Sequence, residues 1–302
     1  MTEHAARITD PRGRPANWRG VARAYIQLTK PRIIELLLVT TVPAMIAARG
    51  GWPGLGLVAA TLVGGTLSAA GANTINCVAD RDIDRLMRRT MSRPLPAGNV
   101  DPAAALAFGA ILGLGGFLWL WATANLLAGV LSTLALLFYV FVYTLYLKRN
   151  TPQNIVVGGA AGAVPALVGW AAVTGTLAAP AWVMFGIIFL WTPPHFWALS
   201  LRYEDDYRTA GVPMLPVVVG VRPTLDHIFW YTVSLVGGSL LLYPTGTVGE
   251  LYFVVAAVLG VWLIAGASGL RRQPSRAMRF FGFSNLYLAL IFGAIALDVL
   301  LL

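Results

Sequence analysis

The feature that most constrains this chain is a series of apolar segments, each long enough to cross the hydrocarbon core of a membrane. A spanning helix needs about 20 mostly apolar residues, and backbone groups in lipid must pair within a helix or a closed barrel. Runs of Leu, Val and Ala without long two-residue alternation argue against the barrel. We therefore predict an all-α polytopic membrane protein. Its nine transmembrane helices are expected at about residues 33–49, 53–77, 103–122, 125–147, 154–174, 180–200, 227–246, 250–269 and 280–301.

Composition and charge support this class and exclude others. With 57% hydrophobic and 12% charged residues, the chain is too apolar for a soluble domain. All of the 22 Lys and Arg residues except Arg49 precede helix 1 or follow an even-numbered helix. This asymmetry predicts a cytoplasmic N-terminus and an external C-terminus, in a bacterial-type plasma membrane. A nucleic-acid partner is not expected, because no soluble basic module accompanies the spans.

The domain organisation is expected to be simple. Residues 1–22 are predicted to form a disordered cytoplasmic tail, and residues 23–302 a single transmembrane domain. The start of the chain lacks the apolar core of a signal peptide, and its basic residues should be attracted to anionic lipid. The single cysteine, Cys77, excludes an intrachain disulfide and is interpreted as a small packing residue.

The second span ends in a polar motif over residues 73–94, where asparagines lead into three aspartates and five arginines. On a helix of about 100° per residue, one face within about 80° of arc carries Asn73, Asn76, Asp80 and Asp84. Asp82 points the opposite way. Carboxylates four residues apart repel unless a cation lies between them. The motif therefore indicates a metal and anion site, and the alternative is a solvated cap on a membrane helix.

Basic residues of neighbouring segments are expected on the same face of the membrane. Prolines stiffen the 85–100 loop and can hold its arginines over the motif. For Lys30 and Arg32, which flank Pro31, the alternative role is to anchor the end of helix 1. The candidates for binding an anion are Lys30, Arg32, Arg88, Arg89, Arg93, Lys148 and Arg149.

Four further candidates lie at the predicted cytoplasmic ends of helices 4 to 6. Tyr139 and Tyr143 could line a pocket, although such tyrosines are usually part of an interfacial belt. Asn154 begins helix 5 on the side where the charges collect. His195 follows two prolines, which open the backbone hydrogen-bond ladder. It is either a hydrogen-bonded core residue or a functional one.

A second acidic cluster follows helix 6, on the same side as the first. It contains Glu204, Asp205 and Asp206, followed by Tyr207. Two acidic clusters framed by basic residues suit a magnesium-bound polyphosphate, in which carboxylates hold Mg²⁺ and cations neutralise phosphate oxygens. The glycine-rich and aromatic interior beneath could hold an apolar chain. We therefore expect a prenyl diphosphate as substrate and Mg²⁺ as cofactor.

The motifs resemble those of the UbiA-type intramembrane prenyltransferases, and most closely the members that farnesylate haem. The resemblance covers roughly residues 25–300, and it implies a nine-helix α fold. It also implies transfer of farnesyl from farnesyl diphosphate to a vinyl group of haem b, at the cytoplasmic face. The stretches that carry it are LTKPRI (28–33), NTINCVADRDIDRLMRRTMSRPL (73–95), YTLYLKR (143–149), NIVVGGAAGAVP (154–165), WTPPHFWAL (191–199) and DYRTAGVPMLPVV (206–218).

The resemblance also implies roles for individual residues. The positions that match the family's Mg²⁺–diphosphate motif are Asn73, Asn76, Asp80 and Asp84. Its loop and helix-end cations correspond to Arg89, Arg93, Lys148 and Arg149. His195 matches a histidine for which the resemblance implies haem ligation or proton handling. One departure concerns the second motif, because position 202 is Arg where the superfamily usually has aspartate. Asp206 therefore lacks its usual partner, and Asp205 or Glu204 could substitute. The predicted metal ligands are Asn76, Asp80, Asp84, Asp205 and Asp206.

Two other functions are compatible with parts of this pattern. A related prenyltransferase acting on an aromatic quinone precursor shares the first motif and the fold. A secondary transporter binds solute at charged, broken helices, but it needs polar groups on both sides, and the outer face here is almost uncharged. The expected surroundings are membrane lipid, with a haem-processing membrane protein as a downstream partner.

Overall fold

The computed structural model describes residues 18–301, except for the side chains of residues 32–38. In this part of the chain all regular secondary structure is helical, and there is no strand. The helices are α1 Trp18–Thr29, α2 Pro31–Arg49, α3 Leu55–Ala79, α4 Arg81–Leu86, α5 Pro102–Thr123, α6 Leu126–Asn150, α7 Asn154–Thr174, α8 Ala179–Arg202, α9 Glu204–Thr209, α10 Leu215–Val219, α11 Val221–Leu240, α12 Glu250–Arg272 and α13 Ala277–Leu301. The all-α prediction is confirmed.

Eight helices of the described residues are long and apolar enough to cross a membrane: α3, α5, α6, α7, α8, α11, α12 and α13. Helix α2 has 19 residues, but side chains within it are not described, so the count of nine spans stays a prediction. Most helix ends lie within three residues of their predicted positions. Both ends of α11 deviate most, since the helix runs from Val221 to Leu240 and was predicted at 227–246. It begins at Val221 rather than near 227, because Gly220 adopts φ 81° and the polar first turn hides the helix start from hydropathy.

Helices α3 and α5 approach closely through glycines. A Cβ atom on Gly71 would lie 2.6 Å from the carbonyl oxygen of Gly109, and one on Gly116 would lie 2.7 Å from the amide nitrogen of Ser68. Small residues permit such backbone contact between membrane helices. This packing fixes α5 against the glycine-containing face of α3.

The largest apolar core lies among α2, α7, α8, α11, α12 and α13. Asp298 of α13 is a buried cap. Its carboxylate accepts hydrogen bonds from the backbone N–H groups of Gly249 and Tyr252, the latter at 3.0 Å, at the start of α12. It thereby satisfies donors that a helix N-terminus leaves unpaired.

The N-terminal helix α1 begins at Trp18, inside the stretch predicted as a tail. Its apolar residues recur at helical spacing, and Leu28 is fully buried against Cys77 and Leu95. Cys77 is a buried packing residue, as predicted. Residues 1–17 lie outside the described part of the chain, so the tail there stays a prediction.

Candidate active site at the C-terminal end of α3

The polar motif forms one buried face at the junction of α3 and α4. Helix α3 ends at Ala79, but the bonds from Asp80 N to Asn76 O (2.9 Å) and from Asp84 N to Asp80 O (2.8 Å) carry the helical register into α4. Asn76, Asp80 and Asp84 are therefore buried together, whereas Asp82 is exposed. This is the arrangement expected from helical periodicity.

Two lysines from distant segments enter this buried face. Lys148 of α6 pairs with Asp80 Oδ2 at 2.5 Å, and the Asn76 amide donates to the same oxygen at 2.8 Å. Lys30, between α1 and α2, donates to Asn76 Oδ1 at 2.5 Å. Asn76 also donates to Thr144 Oγ1 at 2.9 Å. The amide thus lies at the centre of a network that joins three segments of the chain.

Arg93 supplies a third cation from the loop after α4. Its guanidinium pairs with Asp84 Oδ2 at 2.8 Å. The loop is held by Thr90, whose hydroxyl donates to the Asp84 carbonyl at 3.0 Å, and by the bond from Arg93 N to Thr90 O at 2.9 Å. The expectation that this loop holds an arginine over the aspartates is met at Arg93. Arg88 and Arg89 are exposed.

The charges at this site favour an anionic ligand. Three cations, Lys30, Lys148 and Arg93, meet two buried carboxylates. Burial lowers the pKa of the Lys30 ammonium, because removal from water disfavours its charged form. Asp80 Oδ1 is buried and has no hydrogen-bond partner among the described residues. An acceptor left unpaired in this way costs free energy unless a ligand satisfies it.

The donor set fits Mg²⁺ held jointly with a phosphate. In the described part of the chain no three His, Cys, Asp or Glu residues form a metal cluster. Mg²⁺ usually binds one or two carboxylates and takes its remaining ligands from water and substrate phosphates. Asp80 and Asp84 meet this requirement, and Asp80 Oδ1 is an available ligand atom. The Asn76 amide oxygen, also predicted as a ligand, is occupied by Lys30.

Asp82 and Arg149 form a separate, more exposed pair. Arg149 binds both carboxylate oxygens, at 2.7 and 2.8 Å, and also donates to the Ala79 carbonyl at 2.7 Å. The hydrogen bonds from Arg149 lower the pKa of Asp82 to about 2. Arg149 is a predicted substrate-binding residue. In this structure its hydrogen bonds connect α6 to the α3–α4 junction.

The C-terminal half of α6 is a π-helix from Phe138 to Leu147. Such segments are rare and concentrate at functional sites. Tyr139 and Tyr143 stack with ring centroids 5.3 Å apart, and Thr144 donates to the Tyr139 carbonyl at 2.8 Å. A Cβ atom on Gly158 would lie 2.2 Å from the Tyr143 ring, so the glycine makes room for it.

An apolar cavity lies in the membrane region below the network, between α2, α3, α6 and α7. Its volume is about 150 Å³, counted as the space that the centre of a water-sized sphere can occupy. Most of its lining is aliphatic, and its polar residues include Asn73 and Tyr139. Asn73 lies one helical turn before Asn76, and its amide donates to the Thr29 carbonyl at 2.9 Å. The cavity therefore begins where the charged network ends.

The second acidic cluster meets the loop after α4, but its members have different surroundings. Asp206 accepts from the backbone N–H of Arg89 at 3.3 Å, and the Arg89 guanidinium lies 5.5 Å from the centroid of the Tyr203 ring. Asp205 is exposed, and Glu204 pairs with Arg208. Neither Asp205 nor Asp206 contacts the Asn76 network through any described hydrogen bond. Their assignment as metal ligands stays a prediction.

Two predicted substrate-binding residues are buried close to the second acidic cluster. Tyr207 packs in an apolar cluster with Ile83 and Met87. Asn154 is fully buried and donates to the carbonyls of Thr151 and Pro213 at 2.7 and 3.3 Å. Its Oδ1 has no partner among the described residues. Tyr207 therefore joins α9 to α4, and Asn154 joins α7 to the segment before α10.

His195 lies apart from the carboxylate network, between α8 and α13. Its ring stacks between Trp191 and Phe281, each with a centroid distance of 4.2 Å, and Nδ1 is 2.8 Å from Ser284 Oγ. None of these three partners carries a charge. The structure thus places His195 in the larger helix core, and its functional role stays a prediction.

Sequence reasoning missed Thr144 and Ser284. Thr144 joins the network only because the π-helical segment directs its hydroxyl toward α3, and helical spacing alone does not reveal a change of helix type. Ser284 belongs to an apolar span in which a serine carries no distinctive pattern. Arg32, a predicted anion-binding residue, lies among the residues whose side chains are not described.

Comparison with known proteins identifies relatives along most of the chain. A model of the UbiA prenyltransferase family matches residues 37–292. The protoheme IX farnesyltransferase of Mycobacteroides abscessus is 54% identical over 280 residues, which cover 91% of this chain and 89% of that protein. The protein of the same name from Gloeobacter violaceus is 54% identical over 282 residues, 92% of each chain.

Solved structures share the fold at low sequence identity. A digeranylgeranylglyceryl phosphate synthase aligns with a TM-score of 0.77 and 21% identity, over 93% of this chain and 99% of the other. The UbiA homologue of Aeropyrum pernix aligns at 0.71 with 22% identity, over 88% and 97%. That of Archaeoglobus fulgidus bound to DMAPP and Mg²⁺ aligns at 0.62 with 17% identity, over 90% and 99%.

Proposed function

This chain belongs to the UbiA prenyltransferase family, and from that premise we propose that it transfers farnesyl from farnesyl diphosphate to a vinyl group of haem b. One observation carries the reaction type. A network of two carboxylates and three cations adjoins the polar end of an apolar cavity. The acceptor is proposed from relatives at 54% identity that are named protoheme IX farnesyltransferases.

The network suits the diphosphate because its charges can exchange partners. Each buried carboxylate now pairs with a cation, Asp80 with Lys148 and Asp84 with Arg93. When a magnesium-bound diphosphate enters, the carboxylates can turn to the metal and the cations to phosphate oxygens. Asp80 and Asp84 would hold Mg²⁺, which supplies positive charge that stabilises the leaving diphosphate.

The chain's own groups account for the remaining requirements of the reaction. Lys30, Lys148 and Arg93 neutralise charge that grows on the diphosphate as the C–O bond breaks. The electron pair of that bond leaves with the diphosphate. The stacked rings of Tyr139 and Tyr143 present π faces that attract an allylic cation. The apolar lining of the cavity excludes water that would otherwise capture the cation.

Capture by the vinyl group completes the transfer. The vinyl electron pair forms a carbon–carbon bond with C1 of the farnesyl chain and leaves a cation on the carbon beside the macrocycle. Water adds to that carbon and releases a proton, which gives a hydroxyethylfarnesyl side chain and free diphosphate. We propose that the site opens toward the cytoplasmic face of a plasma membrane, where the basic loops collect.

The direct test is to incubate purified protein with haem b, farnesyl diphosphate and Mg²⁺, and to identify products by mass. We expect haem O and diphosphate, and no product when EDTA removes the metal. A parallel reaction with an aromatic quinone precursor in place of haem should give nothing. Prenylation of the aromatic compound together with indifference to haem would overturn the proposed acceptor. Turnover that EDTA does not change would overturn the proposed metal.

A further inference from the structure

The exposed side of the amphipathic helix α1 carries two distinct stripes. At about 100° per residue, Trp18, Ala22 and Ile26 lie within about 80° of arc and are all exposed. Arg19 and Arg23 occupy the next part of the circumference and are exposed as well. The face that packs on the bundle, which includes Ala24 and Leu28, lies on the other side of the apolar stripe.

A packing face, an exposed apolar stripe and a basic stripe, in this order around the helix, are typical of a helix that lies in a membrane interface. A helix that only covered the bundle would need no apolar stripe beyond its packing face, yet Trp18 is 74% exposed and Ile26 is 60% exposed. In an interfacial helix, the apolar stripe enters the acyl boundary and adjacent arginines reach lipid phosphates. The Arg19 guanidinium lies 5.4 Å from the centroid of the Trp18 ring, which keeps the two groups at one level.

The end of α1 is bonded directly to the polar motif of α3. The Leu28 carbonyl accepts from the Cys77 thiol at 3.8 Å, and the Thr29 carbonyl accepts from the Asn73 amide at 2.9 Å. The next residue, Lys30, has φ 52° and ψ 59°. Among the described residues it is the one non-glycine with positive φ. Such a conformation persists only where its surroundings hold it.

We propose that α1 docks on anionic phospholipid headgroups of the surrounding bilayer and thereby holds Lys30 in the left-handed conformation that directs its ammonium to Asn76. Charge complementarity identifies the lipid, because two adjacent arginines border the apolar stripe. The docking is independent of catalysis. Its consequence for Lys30 rests on the proposed function, in which this ammonium binds diphosphate.

Docking is tested by the depth of a nitroxide label in lipid nanodiscs. The label is attached to Ala22→Cys in the apolar stripe, or to Gln27→Cys on the opposite face as a control, and buried Cys77 should not react. We expect the label at position 22 to be more accessible to oxygen than to a water-soluble nickel chelate, and the label at 27 to show the reverse. Depth at 22 should increase when phosphatidylglycerol is added to phosphatidylcholine.

The double variant Arg19→Gln and Arg23→Gln should abolish the response to phosphatidylglycerol. The matched control, Arg272→Gln and Arg276→Gln, removes two exposed arginines from the end of α12 and the turn after it, and should retain the response. A label at 22 that is more accessible to nickel, or equally deep in both lipids, would overturn the docking. This measurement involves no substrate, so it stands whether or not farnesyl transfer is confirmed.

The link to Lys30 is tested by the dissociation constant of a non-hydrolysable farnesyl diphosphate analogue in the same nanodiscs. Anionic lipid should tighten binding about threefold to tenfold, and the Arg19 and Arg23 double variant should lose that gain. In Lys30→Gln the affinity should no longer depend on the lipid. Equal affinity of the unmodified chain in both lipids would overturn the link while leaving the docking result intact.

Discussion

At the residue scale, position on a helix separates aspartates that are close neighbours in sequence. Asp80 and Asp84 have side chains 2% and 3% exposed, whereas the side chain of Asp82 is 65% exposed. All three have a basic partner, so a partner alone does not define a site. The distinguishing features are burial and the unpaired Oδ1 of Asp80.

Asp80→Asn and Asp84→Asn are each expected to lower haem farnesylation by about 100-fold or more, because each removes a charge that holds the metal and diphosphate. Steady-state turnover measures the loss, and thermal unfolding in detergent checks that the fold is kept. Asp82→Asn is the matched control. It should retain most activity, since Asp82 pairs with Arg149 outside the buried network. Wild-type turnover in Asp80→Asn would show that the motif is only a helix cap.

His195 belongs to a different environment, and its substitution should have a different effect. We predict that His195→Ala raises the haem concentration needed for half-maximal rate and leaves affinity for the farnesyl diphosphate analogue unchanged. The reason is that His195 packs between Trp191 and Phe281, away from the cations that bind phosphate. Kinetics with each substrate varied in turn separate the two effects. Equal losses for both substrates would exclude an acceptor-side role.

At the element scale, the π-helical segment of α6 connects the charged network with the cavity. It brings the Thr144 hydroxyl to Asn76 and places the Tyr139 ring at the cavity wall. A regular α-helix bonds each backbone N–H to the carbonyl four residues earlier, whereas the π-helical segment bonds it to the carbonyl five residues earlier. The Thr144 hydroxyl also donates to the Tyr139 carbonyl. The wider turn therefore contributes to the geometry of the site.

Thr144→Val keeps the size of the side chain but removes both hydrogen bonds. We expect a loss of about 1–3 kcal/mol in the free energy of unfolding, because the buried Asn76 amide loses an acceptor. Affinity for the diphosphate analogue should also fall, since Asn76 contacts both Lys30 and Asp80. Thr144→Ser, which keeps the hydroxyl, should restore binding. If Val and Ser bind the analogue equally well, the hydroxyl does not position Asn76.

Helix α7 presents Gly162 to the cavity, where an added Cβ would meet no atom within 4 Å. Gly162→Leu should therefore fill space intended for the prenyl chain without disturbing its neighbours. We predict weaker binding of the farnesyl compound and a relative gain for geranyl diphosphate, measured as the ratio of their kcat/KM values. Gly186→Ala in α8 also meets open space and should leave this ratio unchanged. An unaltered ratio in Gly162→Leu would place the prenyl chain elsewhere.

At the scale of the whole molecule, basic residues concentrate at one end of the bundle, together with the buried network and its loops. The opposite turns are short and almost uncharged. A membrane protein with this asymmetry inserts with its basic loops inside. The diphosphate site would then open to the cytoplasm, and the cavity would lie within the bilayer.

This orientation can be tested with single cysteines and a membrane-impermeant maleimide on intact cells. Trp52→Cys lies in the turn between α2 and α3 and should be labelled directly, since Trp52 is 53% exposed. Gln273→Cys lies in the exposed turn between α12 and α13 and should be labelled only after permeabilisation. The native Cys77 is buried and serves as the unlabelled background. The reverse pattern would invert the proposed topology.

The sequence by itself determined the class of fold, most helix ends and the buried face of the polar motif. These depend on local rules: long apolar runs must be helices in lipid, and residues four apart share a helix face. Asp80, Asp84 and their separation from Asp82 follow from these rules alone.

Only the tertiary structure decided which cations join them. Lys30 and Lys148 reach the motif from 46 and 68 residues away, whereas Arg149, beside Lys148 in sequence, binds Asp82 instead. It also decided that Thr144 joins the network and that His195 lies in a separate aromatic environment. Such choices depend on how helices pack and on where a helix changes type, because contacts between distant segments are set by the whole bundle rather than by local periodicity.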